Sequence, residues 1–250
     1  MTRRGYVAGS RRRSVATTPF RDAALADSPE VLLLFNETSG TTIADEKAAH
    51  PGTYVNGPTL GVAGLNGAVA ATFDRAQSQR GLLDTLGSLG ANLGTSSWEA
   101  VFKTANTANQ GALFATLNTG ATTGVQLLLN ANASGSYLAG STQFFIRGQS
   151  SETIQATITT NIYDGLFHHL VVVVDSATTV AIYVDGVAQT VTYAAQTAQA
   201  TFSNFEFPLT VAARNNRATI DLFAAVTLDA FAAYPTRLTA ARVTAHYASL

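Results

Sequence analysis

The sequence has no cysteine, one methionine and one tryptophan. Without cysteine there are no disulfides, no thiolate metal sites and no thiol nucleophile, and the chain tolerates any redox compartment. Charged side chains are scarce, 12% of residues against about a quarter in an average domain. So little Lys and Glu argues against a coiled coil or a mostly helical fold, while the 46% apolar share excludes a disordered chain. Long hydrophobic runs are also missing. No apolar run exceeds five residues, as in Val31–Phe35, far short of the ~20 residues a membrane-spanning helix needs, so no membrane insertion is expected. At 250 residues a single β-rich domain buries about three quarters of its unfolded surface and builds an adequate core.

Acidic residues are absent before Asp22, and the first 21 residues carry six arginines: Arg3, Arg4, Arg11, Arg12, Arg13 and Arg21. The remaining nine basic residues against all sixteen acidic ones leave −7 on the rest of the chain. A basic arm of +6 thus precedes an acidic domain. Ser10-Arg11-Arg12-Arg13 is faintly similar to a twin-arginine export signal, but no apolar stretch of the required length follows it, so no signal peptide is expected.

Residues 1–29, with Gly5, Gly9, Pro19 and Pro29 and no apolar period, read as an extended arm. Residues 30–250 read as one domain of short strands separated by Gly, Asn, Asp and Thr turns. The patterning predicts strands near 31–35, 68–73, 97–103, 111–117, 124–130, 143–147, 153–159, 168–175, 179–184, 187–193, 208–213 and 227–234. Many short strands with almost no helical period indicate a sandwich or jelly roll. Val180, Ile182 and Val184 share one face of a strand, and Asp185-Gly186 supplies the residues of a type I′ turn. The chain is then expected to return antiparallel from Val187 through Tyr193. One helix is expected near the C-terminus, capped by Thr239, with Val243 and Tyr247 on its apolar face.

Five segments, in order, resemble the laminin-G-like jelly roll of the concanavalin A-like lectin/glucanase superfamily. Leu34–Thr42 with Asp45 and Gly52–Tyr54 is similar to its first strand and loop, and Ala68–Asp74 to its second strand. Ser97-Trp98-Glu99-Ala100-Val101-Phe102-Lys103 is similar to its "tvEaWv" strand. Phe167-His168-His169-Leu170-Val171-Val172 stands where the family has Trp-His-His-Val-Ala. Leu228–Tyr234, then Leu238-Thr239 and His246-Tyr247, is similar to its last strand and closing helix. Phe167 replaces the family's Trp, and Arg242 stands where the closing helix usually has acidic residues. The resemblance implies an all-β, concanavalin A-like sandwich of two antiparallel sheets, ending in a short helix.

Glycosidases of this superfamily place paired carboxylates on one strand. Here Glu30, Glu37, Glu46, Glu99, Glu152 and Glu206 include no such spacing, and Glu99 has no carboxylate partner on its strand. His168 and His169 are adjacent, so on a strand they point to opposite faces and cannot chelate one ion together; one is expected to pack in the sandwich and the other to lie near the surface. No catalytic residue is therefore expected. Relatives of this fold often bind calcium, for which Asp45, Asp74, Asp221 and Asp229 are the candidates. They form no dense cluster, and turn capping is favoured over a metal role. No cofactor is expected, calcium being the one alternative. For sugar binding, Tyr54, Tyr137, Tyr163 and Tyr193 are the candidates for a glycan-contacting aromatic platform, with Trp98 expected in the core.

Together these features predict a non-enzymatic structural protein of a virion, of the capsid decoration or cement type and from a tailed bacteriophage. The arm arginines would be clamped by the major capsid protein, other virion subunits or further copies in a homo-oligomer, rather than bind nucleic acid. The jelly roll would face outward on the virion surface, after synthesis in the host cytoplasm. The alternatives are a tail or fibre protein binding host-surface glycans, and a cellular carbohydrate-binding adhesion module.

Overall fold

The computed structural model describes residues 19–119, 123–131, 140–149, 153–198 and 201–250. Alternating apolar residues pair into two sheets that face each other. From edge to edge, the first sheet runs Val187–Ala188, Val180–Val184, Phe167–Val174, Ser97–Lys103, Val226–Tyr234, Val69–Phe73 and Thr59–Ala63, with Val31–Leu33 also on Val226–Tyr234. The second runs Thr192–Gln196, Thr153–Ile158, Ser141–Arg147, Gly124–Ala131, Gly111–Leu117, Thr210–Val211, Arg80–Leu82, Gly52–Val55 and Thr42–Ile43. Pairing is antiparallel except where Arg214–Asn216 lies parallel to Gly111–Leu117. The fold is the expected concanavalin A-like jelly roll.

Between the sheets lies one large apolar core. Trp98, Ala100 and Phe102 alternate into it from one strand and Leu170, Val172 and Val174 from its neighbour. Trp98 stacks on Phe114 across the sandwich, with ring centroids 5.0 Å apart, and its indole N–H donates to Ser96 Oγ at 2.9 Å. The opposite face of the first sheet is buried too. Val101, Val171, Val173, Ala230, Ala232 and Tyr234 form a second cluster with Phe20, Ala24, Leu238 and Val243. Those last residues bring in two helices, Pro19–Ala26 and Ala240–Ala248, which pack against one another on that face.

The N-terminal helix shortens the expected arm. Pro19 occupies a first-turn position that suits its missing N–H, and Phe20 and Ala24, four apart, turn into the second cluster. Arg21 is held by Glu46 and Asp22. Residues 19–29 therefore belong to the domain; Arg3, Arg4, Arg11, Arg12 and Arg13 lie outside the described residues. The C-terminal helix is capped as expected, Thr239 Oγ1 accepting from Arg242 N at 3.3 Å. Its buried residues are Val243 and His246, while Tyr247 stays half exposed.

Asp185 and Gly186 both have positive φ, 51° and 75°, as a type I′ turn requires. A Cβ on Gly186 would also meet Tyr247 Cδ1 at 3.1 Å. The return strand differs from expectation. Val187–Ala188 pairs with the first sheet, after which the chain crosses to the second, where Thr192–Gln196 pairs with Thr153–Ile158. The other irregularity lies in Val226–Tyr234, whose register on Ser97–Lys103 shifts between Leu228 and Ala230, leaving Asp229 as the extra residue of a bulge.

Candidate functional site

On the second sheet, Phe144, Ile146, Val125, Leu127, Ile154 and Ala156 point into the core. Strand alternation then turns Gln143, Phe145, Arg147, Gln126, Leu128 and Gln155 to the other face. Register places Phe145 opposite Gln126 on one side and Gln155 on the other, with Gln143 opposite Leu128. The Arg147 guanidinium lies 4.9 Å from the Phe145 ring centroid. Burial, together with the charge of Arg217, lowers the Arg147 pKa from its ordinary value. Gln126 Oε1 and Gln143 Nε2 are buried and have no hydrogen-bond partner. A buried polar atom left unpaired costs about 1–3 kcal/mol, so this face carries one acceptor and one donor with their bonding capacity unspent beside an aromatic ring. Such a set suits a hydroxyl-bearing ligand, in which one group both donates and accepts.

The sequence signal for this face is the row Gln143-Phe144-Phe145-Ile146-Arg147, in which a polar and aromatic set alternates with a purely apolar one. Of the four tyrosines expected in a glycan platform, Tyr54, Tyr163 and Tyr193 turn their hydroxyls to other groups of the protein. Tyr54 is buried and donates to Glu37 Oε2 at 2.7 Å. Tyr163 is buried, its hydroxyl accepting from Asn130 N at 2.7 Å and donating to Ser141 O at 3.2 Å. Tyr193 packs against the core and bonds both backbone groups of Val180 at 3.0 Å. Each hydroxyl is spent on the protein's own backbone or side chains. Tyr137 lies outside the described residues.

A second polar cluster sits beneath the two helices. His169 Nε2 donates to Glu99 Oε1 at 2.6 Å, His246 Nδ1 lies 3.0 Å from the same oxygen, and Tyr234 donates to Glu99 Oε2 at 2.5 Å. His246 Nε2 lies 2.7 Å from Asp27 Oδ2, and Arg242 Nε donates to Asp27 at 2.8 Å. Burial favours a neutral Glu99, but the hydrogen bonds and charge of His169 and His246 outweigh it and hold the carboxyl at about 2. Burial likewise opposes charge on His246, and the flanking Glu99 and Asp27 overcome it, raising its pKa. Burial and the Glu99 charge push the Tyr234 hydroxyl far up. Glu99 and both imidazoles are at most 1% exposed. Their hydrogen bonds run to one another and to Asp27, and the cluster works as a clamp between strand and helices. His168, at the sandwich rim, instead bridges Asp185 at 2.8 Å and Asp164 at 3.2 Å. The buried member of the pair, His169, faces the helices rather than the inter-sheet core.

The four candidate calcium ligands are dispersed: Asp45 and Asp74 lie in turns, Asp221 ends the Thr219–Asp221 strand and Asp229 sits in the bulge of Val226–Tyr234. Asp45 accepts four backbone N–H groups, from Leu32, Lys47, Ala49 and His50. Asp74 caps Ala76, Asp221 pairs with Arg214 through both oxygens, and Asp229 accepts from Leu65 N at 2.7 Å. Among the described residues no three His, Asp or Glu side chains gather in a metal-holding group.

No curated protein matches this sequence. Among solved structures, the chain is similar to the binding domain of Paraclostridial Mosquitocidal Protein 1, with TM-score 0.66 and 10% identity over 89% of this chain and 52% of that one. It is also similar to Domain 4 of AbnA, a GH43 extracellular arabinanase from Geobacillus stearothermophilus in complex with arabinotriose, with TM-score 0.60 and 16% identity over 88% and 98%. A third similar structure is Trypanosoma rangeli sialidase in complex with the inhibitor DANA, with TM-score 0.57 and 10% identity over 87% and 32%. The chain spans about half of the mosquitocidal binding domain and a third of the sialidase. At these identities the likeness is one of fold. The Laminin_G_3 family model matches residues 83–244, well over half of the sequence, and the chain belongs to that family of the concanavalin A-like lectin/glucanases superfamily.

Proposed function

We propose that the domain is a non-catalytic glycan-recognition module that binds on the outer face of the second sheet. The observation that carries this reading is the unpartnered pair, Gln126 Oε1 and Gln143 Nε2, beside the Phe145 ring and its stacked Arg147. Gln143, Phe145 and Gln126 are 2%, 4% and 7% exposed, so a sugar reaches them only when this face is uncovered. There an amide acceptor and donor answer adjacent sugar hydroxyls, and the aromatic ring takes the apolar face of a pyranose or furanose. The fold shared with an arabinanase domain in complex with arabinotriose supports the reading. The absence of a strand-mate carboxylate for Glu99, together with its burial, supports a binding role over hydrolysis. The test is a glycan array followed by calorimetry on the best hit. Phe145→Ala and Gln143→Ala should each weaken binding at least tenfold. A blank array, or hits unaffected by both substitutions, overturns the assignment.

A second, finer reading concerns where the module is displayed. The charge asymmetry, +5 over residues 1–18 against −6 beyond, favours attachment through the basic segment to an acidic surface. In this reading the protein decorates a virion, with the major capsid protein, other virion subunits or further copies of itself as partner. Guanidinium groups form bidentate pairs with carboxylates that lysine reproduces poorly. Rim pairs are worth about 0–1 kcal/mol each and weaken with salt, so several must act together. Changing Arg11, Arg12 and Arg13 to Ala should release the protein from particles at lower salt than wild type. Failure to co-purify with particles, or equal retention of both forms in molar salt, overturns this reading.

A further inference from the structure

A cavity of about 370 Å³ opens between the start of the Pro19–Ala26 helix, the 65–69 turn and the C-terminal helix. Phe20, Leu34, Leu65 and Val69 supply apolar walls, and Asn36 and Ser249 add polar groups at its edge. Asp229 is the single ionisable side chain among the described residues that line it. This residue is the extra one of the bulge in Val226–Tyr234, so the strand departs from regular pairing at the position that turns a carboxylate toward the cavity. The close approach is built in: a Cβ on Gly64 would come within 2.3 Å of Asp229 Oδ2.

Asp229 is only 9% exposed. Its Oδ2 accepts one backbone N–H, from Leu65 at 2.7 Å, and no cation accompanies it among the described lining residues. Burial, only partly offset by that bond, pushes its pKa up to about 6. A carboxylate ringed by apolar walls with one oxygen uncommitted lacks a positive charge delivered on an aliphatic stem. A neutral ligand would leave the anion uncompensated, and a hydrated metal ion would find no second carboxylate side chain among the described lining residues.

We propose that this cavity is a receptor for a basic side chain, an alkyl-guanidinium or alkyl-ammonium group that pairs with Asp229 while its methylenes pack on Phe20, Leu34 and Val69. The chemistry fits two sources. One is this chain's own sequence, because Pro19, at the cavity wall, directly follows the segment holding Arg11, Arg12 and Arg13. The other is a second polypeptide. The site is separate from the glycan face and does not depend on it.

The test is calorimetry of the full chain with agmatine as probe and N-butylurea as its neutral counterpart. Agmatine should bind saturably at pH 7.5 and N-butylurea should not. Asp229→Asn, which keeps an acceptor for Leu65 N, should weaken agmatine at least tenfold. Val69→Phe, which fills the cavity and leaves the carboxylate in place, should do the same and guards against misfolding of the first variant. Because the cation must displace a proton, wild-type binding should weaken about tenfold between pH 7.5 and pH 5. A variant with Arg11, Arg12 and Arg13 changed to Gln separates the sources. If the chain's own segment competes for the cavity, this variant binds agmatine at least fivefold tighter than wild type; equal binding assigns the cavity to another polypeptide. Undetectable binding by both wild type and the triple variant, or full retention in Asp229→Asn, overturns the proposal.

Discussion

Both sheets carry polar side chains on the face turned away from their shared core, and the two faces treat them differently. On the first sheet, Glu99 is met by two imidazoles and a phenol, and the Pro19–Ala26 and Ala240–Ala248 helices seal the set. On the second, Gln126 and Gln143 each keep a buried atom with no partner. Interaction energy on the first face is mostly spent within the chain, on holding helices to strands, although His169 Nδ1 is buried there without a partner. On the second, two buried amide atoms leave it unspent, at a cost in stability. A buried polar group therefore has to be judged by its partners, since burial alone does not tell a structural role from a recognition role.

The largest effect that would break this contrast is removal of the hub. Glu99→Ala leaves two buried imidazoles and a phenol without their shared acceptor and should cost about 3–5 kcal/mol, read by urea unfolding. A loss under 1 kcal/mol would mean the clamp does not hold the helices. Phe20→Ala empties the apolar half of the same interface and should cost about 3–5 kcal/mol. That result would also establish that residues from Pro19 onward belong to the folded unit. Gly186→Val forces a β-branched residue to positive φ against Tyr247 and should cost about 1–3 kcal/mol; a neutral outcome would mean the turn type is misassigned.

Acidity probes the clamp more gently. Glu99 titrates below its ordinary value, so its contribution is complete above about 4.5 and is lost as pH falls toward about 2. His246 titrates above its ordinary 6.5, so its contribution is complete below that and is lost as pH rises through the elevated value. Stability measured across pH 3–9 should peak between those limits. Glu99→Gln should flatten the acid limb, and a wild-type profile level across the range would contradict the clamp's charge state. The smallest effect belongs to the second sheet. Gln143→Met removes an unpaired polar group from an apolar setting and should be within about 1 kcal/mol of neutral or stabilising, while weakening glycan binding. A large destabilisation would instead place Gln143 among the structural residues.

Much of the framework is legible in the sequence because strand alternation and turn chemistry are local. Ser97–Lys103, Gly111–Leu117, the Asp185-Gly186 turn and the Thr239 cap all follow from residues within one element. Strands of two to five residues such as Thr42–Ile43, Gly52–Val55 and Thr59–Ala63 are too short to show a period. The Pro19–Ala26 helix hides because eight residues beside an arginine-rich stretch offer only two buried positions. The clamp hides for another reason: Glu99 and His246 are 147 residues apart in sequence, and local patterning says nothing about that pairing. A position at a loop or strand end does not imply exposure: the hydroxyls of Tyr54, Tyr163 and Tyr193 turn inward to backbone and carboxylate partners. The outer row of Ser141–Arg147 was written in plain alternation, but its unspent hydrogen bonds exist only in three dimensions.

The packing of the two helices on the same side of the first sheet also has a mechanical side. Tension applied to the chain ahead of Pro19 enters the domain through a helix tied to the Ala240–Ala248 helix and to Ser97–Lys103 by Asp27, His246 and Glu99, and onward to Val226–Tyr234 by Tyr234. The load therefore spreads across the helix pair and the central strands in shear, and the second sheet is bypassed. A tether at this end would also orient the domain with its helical side toward the anchor and Gln126, Gln143 and Phe145 on the far side, so force on the tether would leave those residues in place.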